Sequence, residues 1–563
     1  DVTVNAVIYR VLRFLEERNM GLKPSYEDPP DVVLLIHPPV VKPCEPPAGI
    51  ARIAGYLRGR CHIPCALLDA NLAGLEHLLG RDRPAADTWT GRALRSRAAH
   101  LRTLRDPLTP RHFDRYRRAV YDLNRLLVLS DPSGGQVPNL VNFRHRERSP
   151  LRSADLIRMA ERPEENLFHD SLQGIVDEAF DRHRPSHAGI SLNYLSQALC
   201  AFALIGMVKK RHPGVPVVLG GGLVTSWMRR PGWENPFAGL VDHMVAGPAE
   251  GKLGAILGAG VEPANDDRFC LPDYDGLPLD AYLSPGRVLP YSASSGCYWG
   301  RCLFCPERAE GNPYVPVPPG RAVRELEVLV RKFRPALIHV LDNAMSPALM
   351  EALVREPPGV PWYGFARITE HLADPDFCVR LRRAGCVLLQ IGLESGDQSV
   401  LDTLQKGIRL SLAQKVLGCL KQAGIAAYVY LLFGTPPETA AGAERTLEFT
   451  AAMRECIGYL NVAIFNMPAQ GPEAQTFGAL PFYEGDLSLY TDFVHPAGWD
   501  RKSVRAFLDR EFRRHPSIAP ILRRDPPFFT SNHAPFISLS DATVATGSRG
   551  ASISLAKQGE NRL

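Results

Sequence analysis

The sequence predicts an α/β protein made of a doubly wound domain, a partial (β/α)6 barrel and a small helical C-terminal region. Three observations carry this reading. The chain is 563 residues long, more than one ordinary core fills. Short apolar runs bounded by turn residues occur in two separate series, and helix-patterned stretches fall between most of them. Runs of this kind suit strands buried on both faces of a parallel sheet.

Residues 1–30 read as a helix from Asn5 to Glu17 and a proline-containing linker. Asp31-Val-Val-Leu-Leu-Ile-His37 is the first strand, stopped by Pro38-Pro39. Gly49 to Arg58 has helical spacing, and Cys65-Ala-Leu-Leu-Asp69 is the second strand. The alternation resumes at Ala188-Gly-Ile-Ser-Leu192, Val217-Val-Leu-Gly220 and His243-Met-Val-Ala-Gly247. These pieces predict one doubly wound domain over residues 31–265, split by a polar, mostly helical insertion at about 76–185. Arginines between Arg81 and Arg118 are interspersed with Asp82, Asp87, Asp106 and Asp114. That mixture reads as a solvated helical face and not as a nucleic-acid surface.

The second series spans residues 286–480, with strands at Leu289–Ser292, Leu337–Leu341, Trp362–Ala366, Val387–Gly392, Ala427–Phe433 and Asn461–Phe465. Six β/α units in this order predict an incomplete barrel, whose chemistry belongs at the C-terminal ends of its strands. Residues 481–563 are less regular, with a helix from Asp500 to Arg514 and a loose, small and polar terminus. Within them, aromatic-rich Pro526–Phe536 serves either a substrate pocket or packing.

The 65 Lys and Arg against 60 Asp and Glu leave a net charge of +5, too small for this length to call for a nucleic-acid partner. With no run of 18 apolar residues and no charged-then-apolar leader, the protein is expected to lack a membrane span and to be cytoplasmic. Nine of the twelve cysteines, Cys200 and Cys386 among them, are scattered through mostly apolar segments and read as buried reduced thiols.

The other three lie in Cys297-Tyr-Trp-Gly-Arg-Cys302-Leu-Phe-Cys305, directly after the first barrel strand. Three thiolates within nine residues can hold one face of a metal cluster and leave one iron open for a ligand. Structural zinc is the alternative, but it wants a fourth protein ligand. His339, mid-strand, would have to supply it.

The segment from Ser292 to Pro306 resembles the cluster loop of the radical SAM superfamily, with four residues between the first two cysteines where three are commonest. The resemblance implies a [4Fe-4S] cluster on Cys297, Cys302 and Cys305 that cleaves S-adenosylmethionine. It also implies that Phe304 lies beside the adenine, and that Asp342, Arg367, Gln390, Glu394 and Ser395 at or near strand ends meet the same cofactor. Phe433-Gly434-Thr-Pro-Pro-Glu438-Thr439 resembles the family's fifth-strand turn, whereas a Gly-Gly-Glu after the second strand is absent. The N-terminal domain resembles the cobalamin-binding domain that precedes the barrel in one radical SAM subfamily. By that likeness Ser191, Asn193, Tyr194, Leu195, Gly220, Gly221, Gly222, Gly247 and Glu250 would hold cobalamin. The pattern Asp-x-His-x-x-Gly is missing after the first strand, so neither His37 nor Cys44 is expected on the cobalt.

The activity so implied is methylation of an unactivated carbon through a 5′-deoxyadenosyl radical and methylcobalamin. Rearrangement or cyclisation is the second reading, and a non-enzymatic iron–sulfur or zinc protein the third. The substrate would be a small molecule or peptide. A one-electron reductant such as flavodoxin or ferredoxin would be the partner.

Overall fold

A computed structural model of the chain describes residues 32–85, 87–259, 270–480, 484–527 and 533–537. The expected helix at Asn5–Glu17 and the loose terminus lie outside these residues. In the first domain, strands β1 (Val33–His37), β2 (Cys65–Asp69), β3 (His187–Ser191), β4 (Val217–Gly220) and β5 (His243–Val245) form a parallel sheet in the order 2-1-3-4-5. All five residues of β1 are buried, as its uninterrupted Val-Leu-Leu-Ile sequence requires. The strand order reverses between β1 and β3, so their C-terminal ends diverge and leave the crevice where doubly wound sheets take ligands.

The insertion between β2 and β3 is mainly helical, but it also contains an antiparallel hairpin of Gln136–Pro138 and Phe143–His145. The Asn139-Leu-Val-Asn142 turn makes it: Asn139 Oδ1 accepts from the Val141 and Asn142 amides at 2.9 and 2.8 Å.

The barrel strands β6 (Val288–Tyr291), β7 (Leu337–Met345), β8 (Trp362–Ala366), β9 (Cys386–Glu394), β10 (Ala426–Phe433) and β11 (Tyr459–Ile464) pair in sequence order, all parallel. Helices such as Pro319–Phe333 and Leu410–Ala423 bury their apolar stripe against them. The described end of the chain packs on both domains. His533 stacks on Tyr428 with centroids 4.4 Å apart, and Phe536 meets Tyr116 of the insertion edge-on at 4.8 Å. Of the two readings of Pro526–Phe536, its described residues show packing. Among the described residues no helix is long and apolar enough to cross a membrane.

Candidate functional site

The cluster loop leaves β6 and is gripped at its root. Asp342, on β7 and 2% exposed, accepts from the Ala293 and Ser294 amides at 2.7 and 3.1 Å and from Ser294 Oγ at 2.7 Å. Burial pushes its carboxyl up to about 6, against the pull of these hydrogen bonds. Asp342 therefore spends its carboxylate on the loop from below instead of presenting it to a ligand.

Cys302 is buried, while Cys297 and Cys305 are partly exposed. Burial raises the thiols of Cys302 and Cys305, the latter to about 11, and the nearby cations Lys406 and Arg367 draw Cys302 back down. Arg367 Nη1 lies 3.9 Å from Cys302 Sγ. Lys406 Nζ sits 5.5 Å from the Phe304 ring and 2.8 Å from Glu394 Oε1. Two cations beside Cys302 suit an anionic cluster, whose charge they would offset. No three His, Cys, Asp or Glu side chains among the described residues converge around a single metal ion.

Lys406 is the neighbour of Cys302 that sequence reasoning missed, since one lysine in a Leu-Gln-Lys-Gly turn carries no signal. Backbone geometry explains how it arrives. A bulge in β9 between Gly392 and Glu394 re-aims the strand end, and Glu394 adopts φ +68°, a strained conformation for a side chain other than Gly or Asn. A Cβ on Gly392 would stand 2.6 Å from Glu394 Oε1 and 2.8 Å from Lys406 Nζ, so a side chain there would push the ion pair aside.

Gln390 points from the same strand into the barrel. Its Nε2 donates to Tyr430 Oη at 2.9 Å, and its buried Oε1 has no hydrogen-bond partner. Ser395 departs from expectation. It is fully buried and its hydroxyl is shared with Thr446 Oγ1 and the Asp397 amide, both at 3.1 Å, so it fastens a neighbouring helix and faces no ligand.

On the other domain, a cavity of about 510 Å³ opens at the C-terminal ends of β3 and β4. Ser191, Asn193, Gly220, Gly221, Gly222, Gly247 and Glu250 all line it. Gly221 has φ +112°, and a Cβ there would stand 2.4 Å from Leu192 O. Asn193 Oδ1 accepts from the Gly222 amide at 2.9 Å and fixes the bare turn. Tyr194 and Leu195 do not line the cavity. The amides of Asn193 and Tyr194 both donate to Gln197 Oε1, at 3.0 and 3.1 Å; this turn starts the helix Leu195–Arg211 and leaves Tyr194 54% exposed. Arg52, paired with Glu250, and Thr225, whose Oγ1 accepts from the Gly247 amide at 2.8 Å, complete this wall. His37 and Cys44 are buried outside it. A glycine wall without side chains fits a large planar ligand that needs close backbone approach.

The opposite wall is the barrel's own: Ser295, Pro306, Glu307 and Glu310, all from the cluster loop and its exit. The glycine turn and the exit of the cluster loop thus face one cavity, and Cys297, Cys302 and Cys305 lie outside its lining. They are also tied directly: Ser226 Oγ, after the glycine turn, donates to Glu310 Oε1 at 2.6 Å, and Arg229 Nη1 donates to Glu310 O at 3.2 Å.

Residues 291–450 match the Radical SAM superfamily. Over 322 residues the chain is 24% identical to an uncharacterized methyltransferase, PH0819, of Pyrococcus horikoshii, covering 51% of this chain and 68% of that one. It is 26% identical over 205 residues to an anaerobic magnesium-protoporphyrin IX monomethyl ester cyclase of Rubrivivax gelatinosus, spanning 34% of this chain and only about a third (36%) of the cyclase. Among solved structures, the cobalamin-dependent S-adenosylmethionine radical enzyme OxsB with aqua-cobalamin bound superposes with a TM-score of 0.56 at 12% identity, over 86% of this chain and 67% of OxsB. That likeness is one of fold.

Proposed function

We propose, from the premise that the chain carries a radical SAM domain, that it methylates an unactivated carbon of a small-molecule or peptide substrate held between the two cofactor loops. The observation that carries this is the shared cavity: the glycine turn at 220–222 and the exit of the cluster loop at Pro306–Glu310 form its two walls. A methyl group passes to a carbon only across van der Waals contact, so both loops must look into one space.

Cys297, Cys302 and Cys305 would hold a [4Fe-4S] cluster with one iron free for S-adenosylmethionine, and Ser191, Asn193 and the glycines would hold cobalamin. When bound, these groups supply a 5′-deoxyadenosyl radical and a transferable methyl group. The chain's residues do the positioning. Asp342 fixes the root of the cluster loop, Glu394 and Lys406 with Phe304 frame the space beside Cys302, and Glu310 with Ser226 fixes the distance between the walls. Gln390 Oε1, buried and unpartnered, awaits a donor from a bound molecule.

The likeness to a ring-forming cyclase supports cyclisation as the second reading. Anaerobic incubation of the reconstituted protein with candidate substrates separates them. Methyl transfer yields both 5′-deoxyadenosine and S-adenosylhomocysteine; deoxyadenosine alone means rearrangement or cyclisation. Replacing Cys297, Cys302 and Cys305 together by alanine is expected to remove the iron and both products, and cleavage that survived this change would refute the assignment.

A further inference from the structure

We propose that Trp299, in the widened Cys297–Cys302 arm of the cluster loop, is a positioning residue that holds the Arg367 guanidinium against the cluster and so eases its one-electron reduction. The inference rests on the radical SAM reading above and adds a residue to it.

Trp299 is docked on three sides. Its indole N–H donates to Gln405 O at 3.0 Å. Its six-membered ring lies over Gly407, where a Cβ would come within 2.1 Å of Cζ2, so nothing larger than glycine leaves room for the indole. Arg367 sits on the ring with its guanidinium carbon 4.2 Å from the centroid, and Arg301 lies 5.1 Å from the same ring. The backbone continues the docking, as the Leu303 amide donates to Leu404 O at 3.0 Å. Arg367 in turn donates to Lys406 O at 2.5 Å and is 7% exposed.

A guanidinium this deeply buried has few ways to be held. The ring face offers the quadrupole that a partly desolvated cation seeks, and it leaves Nη1 aimed at Cys302 Sγ, 3.9 Å away. A fixed positive charge beside a cluster thiolate favours the state that carries one more electron, because the attraction grows with the cluster's negative charge. No electron source need be assumed beyond a one-electron reductant. The longer loop thus carries an aromatic plate under the arginine whose Nη1 approaches Cys302.

The test uses the full chain with its cluster reconstituted anaerobically. Iron content and the midpoint potential, followed by electron paramagnetic resonance, are measured for wild type, Trp299→Ala, Trp299→Phe and Gly407→Ala. Trp299→Ala is expected to keep its iron and to become harder to reduce by about tenfold in equilibrium, which for one electron is about 59 mV more negative. Gly407→Ala, which displaces the indole without touching the cluster loop's own sequence, is expected to shift in the same direction. Trp299→Phe keeps a ring face and is expected to stay near wild type. An unchanged potential in Trp299→Ala would overturn the proposal, and so would loss of iron from all three variants, since the ring would then be a structural prop. Absence of iron from the wild-type chain would instead sink the radical SAM reading itself.

Discussion

The two walls of the cavity are built by opposite means. On the barrel side, position is set behind the lining residues Ser295, Pro306, Glu307 and Glu310 by side chains that grip one another: Asp342 on the loop root, Lys406 on Glu394, Arg367 on Trp299. On the N-terminal side it is set largely by omission, with Gly220, Gly221 and Gly222 presenting bare backbone and Asn193 bracing the turn from behind. A wall of gripped charges suits a small anionic group whose electronics must be adjusted; a wall of bare backbone suits a broad surface that must be approached closely. The contrast makes separate demands on the two halves.

Its sharpest test is Gly221→Ala. The added Cβ collides with Leu192 O, and φ +112° disfavours any side chain, for a combined cost of about 1–3 kcal/mol of strain at this turn. The variant is expected to bind hydroxocobalamin at least tenfold more weakly in equilibrium dialysis while its iron content stays at the wild-type level. Parallel loss of both would mean that the walls are not independently built.

A second test follows from where ionisable groups are buried. Glu438 accepts from the Gly434 amide after β10 and from Trp499 Nε1 at 3.0 Å, is fully buried, and is pushed up from 4.5 to about 7 by desolvation. Because the folded value lies above the unfolded one, folding favours the protonated carboxyl. The stability of the wild type relative to Glu438→Gln is therefore full below pH 4.5 and falls as pH rises through about 7, by on the order of 3 kcal/mol. Melting temperatures of the two proteins across that window measure it, and parallel curves would count against the assignment.

The smallest expected effect is none at all. His37 and Cys44 stand outside the cavity wall, and desolvation holds the His37 imidazole below its ordinary value despite Asp69 nearby. The paramagnetic spectrum of bound cob(II)alamin is expected to be the same in His37→Ala and Cys44→Ala as in the wild type. Nitrogen splitting that disappears in His37→Ala would show that the N-terminal wall supplies a side chain after all.

Legibility followed the physics of each signal. The strands were readable because uninterrupted apolar runs mark burial on both faces. That Gly220–Gly222 and Asn193 line a cavity was readable from their place at strand ends. Tyr194 and Leu195 were not, because the direction of a first helical turn depends on Gln197 reaching back to two amides. Ser395 sits among residues that face inward, yet its partner Thr446 lies fifty-one positions away. Lys406 owes its place to the bulge and strained φ of Glu394, which no local pattern announces. The insertion hairpin was hidden by short strands of three residues each, below the length at which alternation can be seen.

The hydrogen bond between Ser226 and Glu310 bears on how such proteins can be recombined. One partner follows the glycine turn and the other follows Cys305 by five residues, so each domain carries half of the spacer that separates the two walls of the cavity. A chimera that grafted this barrel onto another N-terminal domain would inherit both folds and lose the gauge between them. The cut that preserves it runs through neither linker nor sheet: residues 226–229 and 307–310 have to travel together.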